Sequence, residues 1–409
     1  MFEITGPVAY GTPWFQRSRY LLAPLRRPFV AVRRVEGRTS DGHACSVLVV
    51  DEGPTLSLLL SGMLKGPTQV TALGRASVLR IPAILHRELP AHDLVLARVP
   101  QLLAGARYAD GFFRLPWGVD MWARTKEILR RQQRGRGTVA SGFARWKQQS
   151  FRAVQRRDRG SLDRFYDTMY LPFANTKFGA AAQILDRDSM RRSLNHGTLL
   201  WIEQDDKPVA AQLLERCGAT LHTISVGTSL EPAASQAAGV LTALKVAACE
   251  LAVEMGLEWL DFGGCMPWLT DGVLQNKRQW GGELVLRSGL HRGVVAAWSA
   301  FTPATAAFLA LAPVFRHGSS TFSVTTATPK SHLPADKLSL PGVGRSFVVD
   351  ARGSATRVDG SVVELLTPGS SLAMVAQATG EAGRDPVVQD PTSPRSFGSH
   401  ADIVGGEGR

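Results

Sequence analysis

Cysteine is scarce in this chain. Its 409 residues hold four, Cys45, Cys217, Cys249 and Cys265, with no CxxC pair and no Cys/His cluster. That spacing argues against a zinc site, so no metal is expected, and it suits a reducing compartment in which disulfides do not carry the fold. Cys265 has no neighbouring histidine in the sequence, which argues against a covalent acyl-enzyme. No apolar h-region follows a basic start in MFEITGPVAYGTPWFQRSRY, so no secretory signal is read there. A cytoplasmic location is expected, with association to a membrane surface left open. No short-period repeat is present. One uncharged window, residues 293–315 between Arg292 and Arg316, has the length of a bilayer span. Its Ala, Thr and Ser content and the interruptions at Pro303 and Pro313 predict a buried or membrane-surface helix instead.

Hydrophobic residues at 44% and charged residues at 20% are globular proportions. The length suits two domains and a tail. The net charge of +12 is concentrated: residues 122–159 carry twelve Lys/Arg against Glu127 and Asp158, a local balance of +10. Such a segment is either a solvated helical arm or a surface for a polyanion, whether a nucleotide-linked donor, tRNA or an anionic membrane. Trp122, Phe143, Trp146 and Phe151 are interleaved with its arginines. They form the buried stripe of an amphipathic helix or a stacking surface for bases.

Along the chain, FVAVRRV (29–35), ACSVLVVD (44–51), VTAL (70–73), SVLRIP (77–82) and DLVLARVP (93–100) read as strands, and QLLAGARY (101–108) as a short helix. His86 and His92 flank Pro90 and read as surface or capping residues. The basic stretch 119–159 reads mostly helical, broken at Gly135 and Gly137. Ser161 is a plausible N-cap for an apolar face of Leu162, Phe165, Tyr166 and Met169. LLWIEQ (199–204), PVAAQLLERCG (208–218) and TLHTISVGT (220–228) form an antiparallel meander. A helix over about 234–255 follows, ended by Gly256, and WLDFGG (259–264) is then a strand. This order describes an α/β sheet whose helix start faces a ligand. Residues 347–366 read as a small hairpin, and the Gly/Pro/Ser/Asp-rich tail from about 376 reads as disordered.

The chemistry-bearing stretch is DFGGCMPWLTDGVLQNKRQWGGELV, residues 261–285. Asp261 ends a strand, Gly263 and Gly264 permit a sharp turn or close ligand approach, and Asp271 can cap a short helix carrying Asn276, Lys277 and Trp280. A carboxylate, a cation and an indole are thereby gathered at one sheet edge. Asp261 is a candidate base or orienting group, or a structural clamp for the glycine turn.

The sequence of DFG, a proline, DG and then K-R-x-W-G-G resembles the late motif of FemAB-like proteins in the GNAT acyltransferase superfamily. YLPFANTKFG (170–179) before the meander and the Pro-containing apolar stretch after the motif extend the resemblance over about 160–315. Residues 1–120 are similar to the family's first half. The resemblance implies a mixed α/β fold of two GNAT-like units in tandem. The expected segments are an N-terminal half (1–118), a basic helical connector (119–160), an acyltransferase domain (161–330) and a hairpin with a loose tail (331–409).

It further implies N- or O-acyl transfer from acyl-CoA, acetyl-CoA foremost, to an amine or hydroxyl of a cell-envelope or polysaccharide precursor. A donor phosphate would lie on the helix start at Ser235, Gln236 and Gly239, although Leu241 stands where the motif has Gly or Ala. Lys277 would stabilise the oxyanion with Asp261 as its catalytic companion, Trp280 would meet the acceptor, and Tyr166, Tyr170 and Lys177 would meet it too or merely pack against the sheet. Aminoacyl-tRNA as donor remains the same-fold alternative. A non-catalytic membrane-surface protein using 122–159 and 293–315 is the alternative of another class.

Overall fold

The computed structural model describes residues 29–51, 55–100, 112–116, 118–179, 184–229, 239–286, 292–317, 320–326, 335–349 and 355–357. The expected helix 101–108, Ser235 and Gln236, and the tail from 376 lie outside them.

Strands and helices alternate irregularly, and the strands sort into two mixed sheets. The chain first lays down β1 (Phe29–Thr39), β2 (Ala44–Val50), β3 (Leu64–Ser77), β4 (Leu94–Pro100) and β5 (Phe113–Leu115), with helices α1 (Thr55–Met63) and α2 (Ile81–Glu88) between them. It then builds a second sheet from β6 (Val119–Arg124), β7 (Arg152–Arg156), β8 (Gly197–Gln204), β9 (Lys207–Cys217), β10 (Thr220–Thr228), β11 (Trp259–Cys265) and β12 (Glu283–Leu286). The helices of this part are α3 (Thr125–Gln133), α4 (Gly137–Gln148), α5 (Arg159–Phe165), α6 (Leu171–Phe178), α7 (Arg187–Leu194), α8 (Val240–Glu254) and α9 (Gly272–Gln279). Finally it returns to the first sheet with β13 (Arg292–Ala297), α10 (Pro303–Leu309), β14 (Val314–His317), β15 (Ser320–Thr326), β16 (Arg345–Val349) and β17 (Ala355–Arg357).

The strand order is β17-β16-β15-β14-β5-β13-β4-β2-β1-β3 in the first sheet and β12-β6-β11-β10-β9-β8-β7 in the second. The second sheet is therefore continuous in sequence, whereas the first is assembled from both ends of the described chain. Loop 265–271 docks the two together: Trp268 bridges Pro313, and Leu269 and Leu274 are buried with Ala312 and Val314.

Each sheet is covered on both faces, as its apolar content requires. In the second sheet Ala123, Leu221, Leu260 and Phe262 face α8 and Phe143 of α4. Leu199, Trp201, Ala211 and Leu213 face α5 and α7. Helix α8 is apolar on nearly every side, because it lies between the sheet and α3–α4. Its end is set by Gly256, at φ +67°, with the Leu257 N–H donating to Ala252 O.

Several local expectations are corrected. SVLRIP is the end of β3 followed by the helical turn Val78–Arg80 and α2, because Ser77 caps that turn and Pro82 occupies the first turn of α2. Asp158, not Ser161, is the N-cap of α5 and accepts from the Ser161 N–H at 2.8 Å. The basic stretch holds two helices, but strands β6 and β7 frame them. Trp122 lies in β6, and Phe143 and Phe151 are buried. Residues 293–315 divide into β13, α10 and β14, and no helix among the described residues is long and apolar enough to cross a membrane. The hairpin expected near 347–366 is β16 against β17.

Candidate active site

The second sheet contains one parallel pair, β10 with β11, joined by the crossover helix α8. Pairing covers only Thr220–Trp259, Leu221–Leu260 and His222–Asp261. Both strands then continue but part. Just past the last pair, β10 shifts register against β9 between Thr223 and Ser225, and β11 shifts against β6 between Asp261 and Gly264. Such bulges bend strands away from their partners. The result is a fork at the carboxyl ends of a parallel pair, where α/β sheets accept ligands.

Asp261 stands at the crotch and is only 6% exposed. Its Oδ1 accepts the Gly263 N–H at 2.7 Å. Its Oδ2 accepts from His222 Nδ1 at 2.9 Å. Burial opposes charge on His222, but the Asp261 hydrogen bond and charge, with the nearby Cys217 sulfur, raise the imidazole to about 9. The ring is therefore an imidazolium at neutral pH and donates to Asp261. Its Nε2 is enclosed, with the Cys217 sulfur close to the ring, so His222 orients Asp261 and is not placed to touch a substrate.

Gly263 takes φ +77°, and a Cβ there would come 3.1 Å from Thr223 O across the fork. Helix α9 sets the other side of the turn. Asp271 caps it, accepting from the Leu274 N–H at 2.6 Å. Two turns on, Lys277 is 8% exposed and donates to Gly263 O at 2.8 Å and Gly264 O at 2.9 Å. Lys277 and Asp261 thus grip opposite ends of one glycine turn, the carboxylate through N–H and the ammonium through C=O. Burial pushes the adjacent Cys265 thiol up to about 11, despite Lys277 beside it, which leaves no thiolate at neutral pH.

The other residues singled out from sequence are distributed as follows. Trp280 is fully buried between Phe143 and Phe262 and forms the floor of the site, not an open contact surface. Tyr170 is buried, its hydroxyl accepting the Leu185 N–H at 2.9 Å, and burial raises its pKa. Tyr166 packs on Tyr170 and under the Arg187 guanidinium, 4.6 Å from the ring centroid. These two tyrosines belong to the helical layer on the face opposite α8, the face to which strand alternation also turns His222 and Asp261. Lys177 stands at the end of α6 with its ammonium 5.1 Å from the Phe173 ring centroid, where loss of hydration and then Lys277 lower its pKa, against Asp271. Gly239 opens α8 in the left-handed region, φ +70°. A Cβ there would come 2.5 Å from Arg145 Cδ, so the basic segment lies directly on the helix start.

Two residues went unread in the sequence. His222 is a lone histidine in a strand, and only the register of the parallel pair brings it to Asp261. Lys245 sits mid-way along α8. Its Nζ donates to Asn276 Oδ1 of α9 and lies 5.5 Å from the Trp280 ring. Burial, then Lys277 and Lys177, push its ammonium down to about 7. The sequence sets Lys245 with Glu250 and Glu254 off the apolar face of this helix, and the contact with α9 was not visible there. Among the described residues no cluster of His, Cys, Asp and Glu could hold a metal ion.

The sequence matches no protein-family model and no curated protein. Among solved structures, the chain is similar to L-PGS from Bacillus licheniformis, at 12% identity and a TM-score of 0.33 over 68% of this chain and 88% of that one. It is similar to FemX at 12% identity and a TM-score of 0.34, over 68% and 90%. A GCN5-related N-acetyltransferase from Kribbella flavida shares 16% identity at a TM-score of 0.25, over 61% and 80%. Likeness at this level carries no statement about chemistry, which must come from the fork itself.

Proposed function

We propose that the chain is an acyltransferase whose reaction centre is the fork between β10 and β11. The observation that carries this reading is the glycine turn held between Asp261 and Lys277 where a parallel pair splits. It offers flexible backbone, a fixed positive charge and an adjacent helix start in one place. Acyl transfer needs backbone donors and preorganised charge where the oxyanion develops.

The acceptor amine or hydroxyl attacks the acyl carbonyl directly. A bond forms from acceptor to acyl carbon, the bond from that carbon to the leaving sulfur or oxygen breaks, and the acceptor's proton is lost to solvent or a basic group. Lys277, with backbone N–H groups of the turn, stabilises the developing negative charge. Asp261 and His222 hold the turn. The donor read first is acyl-CoA, acetyl-CoA foremost, with its phosphates toward the start of α8. Gly239 opens α8 in the left-handed region and the Arg145 side chain lies against it, which supports a phosphate-bearing donor. The acceptor read first is a cell-envelope or polysaccharide precursor.

Arg145 also supports a second reading, aminoacyl-tRNA as donor, because it brings the basic segment 122–159 to the site. The test is turnover of a panel of amine and hydroxyl acceptors with acetyl-CoA or charged tRNA, followed by mass spectrometry, with and without RNase. Acylated product that survives RNase supports acyl-CoA, and product lost on RNase treatment supports tRNA. No product with either donor, alongside flotation of the protein with anionic liposomes, would replace the enzyme reading with a membrane-surface binding role.

A further inference from the structure

We propose that Ser46, His92 and Glu88 form a second reactive centre, beside the first sheet, at which Ser46 takes an acyl group from an activated ester or thioester and passes it to water. The centre is separate from the fork and does not depend on it. Ser46 Oγ lies 2.9 Å from His92 Nδ1, and His92 Nε2 lies 3.9 Å from Glu88 Oε2. A nucleophile, a base and an orienting carboxylate thus meet in turn, the combination that activates a serine hydroxyl. His92 reads from sequence as a surface or capping residue, but it is only 8% exposed.

The fold fixes each member. Strand alternation turns Ser46 to the side of β2 from which Leu48 and Val50 meet α2. Glu88 ends α2, and the helical turn Leu89–Ala91 brings His92 back to the start of β4. Asp93 clamps the Ser46 backbone: its Oδ2 accepts the Ser46 N–H at 2.8 Å, and its own N–H donates to Ser46 O at 3.0 Å. Ser46 and Glu88 stay partly exposed. Arg87 holds Glu88 Oε1 at 2.7 Å, and Oε2 turns to the ring. A carboxylate at Nε2 favours the proton there, which leaves the Nδ1 lone pair to accept from the Ser46 hydroxyl. Burial, and after it Arg34, holds the imidazole below the ordinary histidine range, against Glu88, Asp93 and Glu36. The ring is therefore a neutral base at neutral pH. In the reaction Ser46 Oγ attacks the acyl carbon while its proton passes to His92 Nδ1. The bond from that carbon to the leaving oxygen or sulfur breaks, and the proton moves on to the leaving group. Water repeats the sequence on the serine ester, releasing the acid and restoring the hydroxyl.

The experiment treats the full-length protein with a fluorophosphonate probe, locates the adduct by peptide mass spectrometry, and follows p-nitrophenyl acetate hydrolysis in parallel. The expected adduct is on Ser46, and Ser46→Ala should abolish it together with the hydrolysis. His92→Gln keeps a hydrogen-bonding group beside Ser46 but removes the base, and should slow labelling by about a hundredfold or more. A merely structural histidine would not show this loss. The labelling rate of the wild type should rise with pH through one transition below 6.5 and then level. Glu88→Gln should move that transition to lower pH, because it removes the carboxylate that favours the imidazolium. An adduct elsewhere only, no adduct on a wild type folded by circular dichroism, or equal labelling of wild type and His92→Gln would overturn the proposal. Should His92→Gln fail to fold, a flat pH profile in the wild type would overturn it equally. None of these results touches the acyltransferase reading of the fork, which is decided by product formation with an acceptor.

Discussion

The first sheet contains two parallel pairs, β2 with β4 and β15 with β16, and the second contains one, β10 with β11; the pairs β2–β4 and β10–β11 are finished differently. In the first sheet β2 and β4 pair through Val47–Leu94 to Val50–Ala97. Strand β2 stops where its pairing stops, and β4 runs on fully paired to β13. Next in line are Asp51 and Arg98, 3.7 Å apart, set in an apolar core that covers both faces. In the second sheet both strands outlive their pairing and bulge apart, and the polar residues at the break hold a glycine turn. A parallel pair is thus a neutral device. Where it ends flush it is scaffold, and where it splits it leaves backbone groups, glycines and charges facing a gap.

The contrast can be broken most forcefully in the two cores. Trp280→Ala and Phe315→Ala each delete a fully buried aromatic and should each cost about 3–5 kcal/mol in urea unfolding. The folded fraction of Phe315→Ala should turn over at the wild-type rate, and that of Trp280→Ala should not, because the indole floors the fork. Equal loss of turnover in both would erase the distinction between scaffold and site.

Next in size are the charges at the two strand ends. Lys277→Met should lower the rate of acyl transfer by about 2–4 kcal/mol of barrier, the scale of one oxyanion donor, while Arg98→Met leaves the rate constant unchanged. Steady-state kinetics on both folded variants decides this.

A smaller effect concerns the imidazolium. The folded His222 pKa is raised from 6.5 to about 9. Its stabilising contribution is therefore fully present below pH 6.5 and is lost as pH rises through 9. The size is on the order of 3 kcal/mol. Melting temperature should fall across this window in the wild type, and His222→Gln should flatten the fall. An unchanged slope in the variant would show that the His222–Asp261 pair is not what ties the fork to pH. The smallest effect is expected beyond the described residues. Removal of residues from 376 onward, which lack apolar periodicity, should leave melting temperature and soluble yield as they are.

Much of the second sheet was legible because its signals are local. The meander, the crossover helix ending at Gly256, the Asp271 cap and the Asp261–Lys277 motif all follow from neighbours within a few residues. The rest depended on long-range partners. Nothing near Phe113–Leu115 announces that β5 lies between β13 and β14, nearly two hundred residues on. Trp280 reads as an acceptor contact through its place in the K-R-x-W-G-G motif, but a tight helix end turns it into the core. SVLRIP was misread because β-branched and apolar residues outweighed Pro82, whose position in the first helical turn was the better guide.

The split construction of the first sheet also bears on the protein's own manufacture. As the chain leaves the ribosome, residues 29–115 emerge first, yet β5 has no strand on either side until β13 and β14 have been made. At 5–20 residues per second that wait is on the order of 10–40 s. During this interval residues 119–286 emerge whole, with every strand of their sheet present. The later part of the chain is therefore expected to fold first, and the earlier part to close afterwards around an exposed edge. A chaperone bound during that interval should protect β4 and β5 in particular.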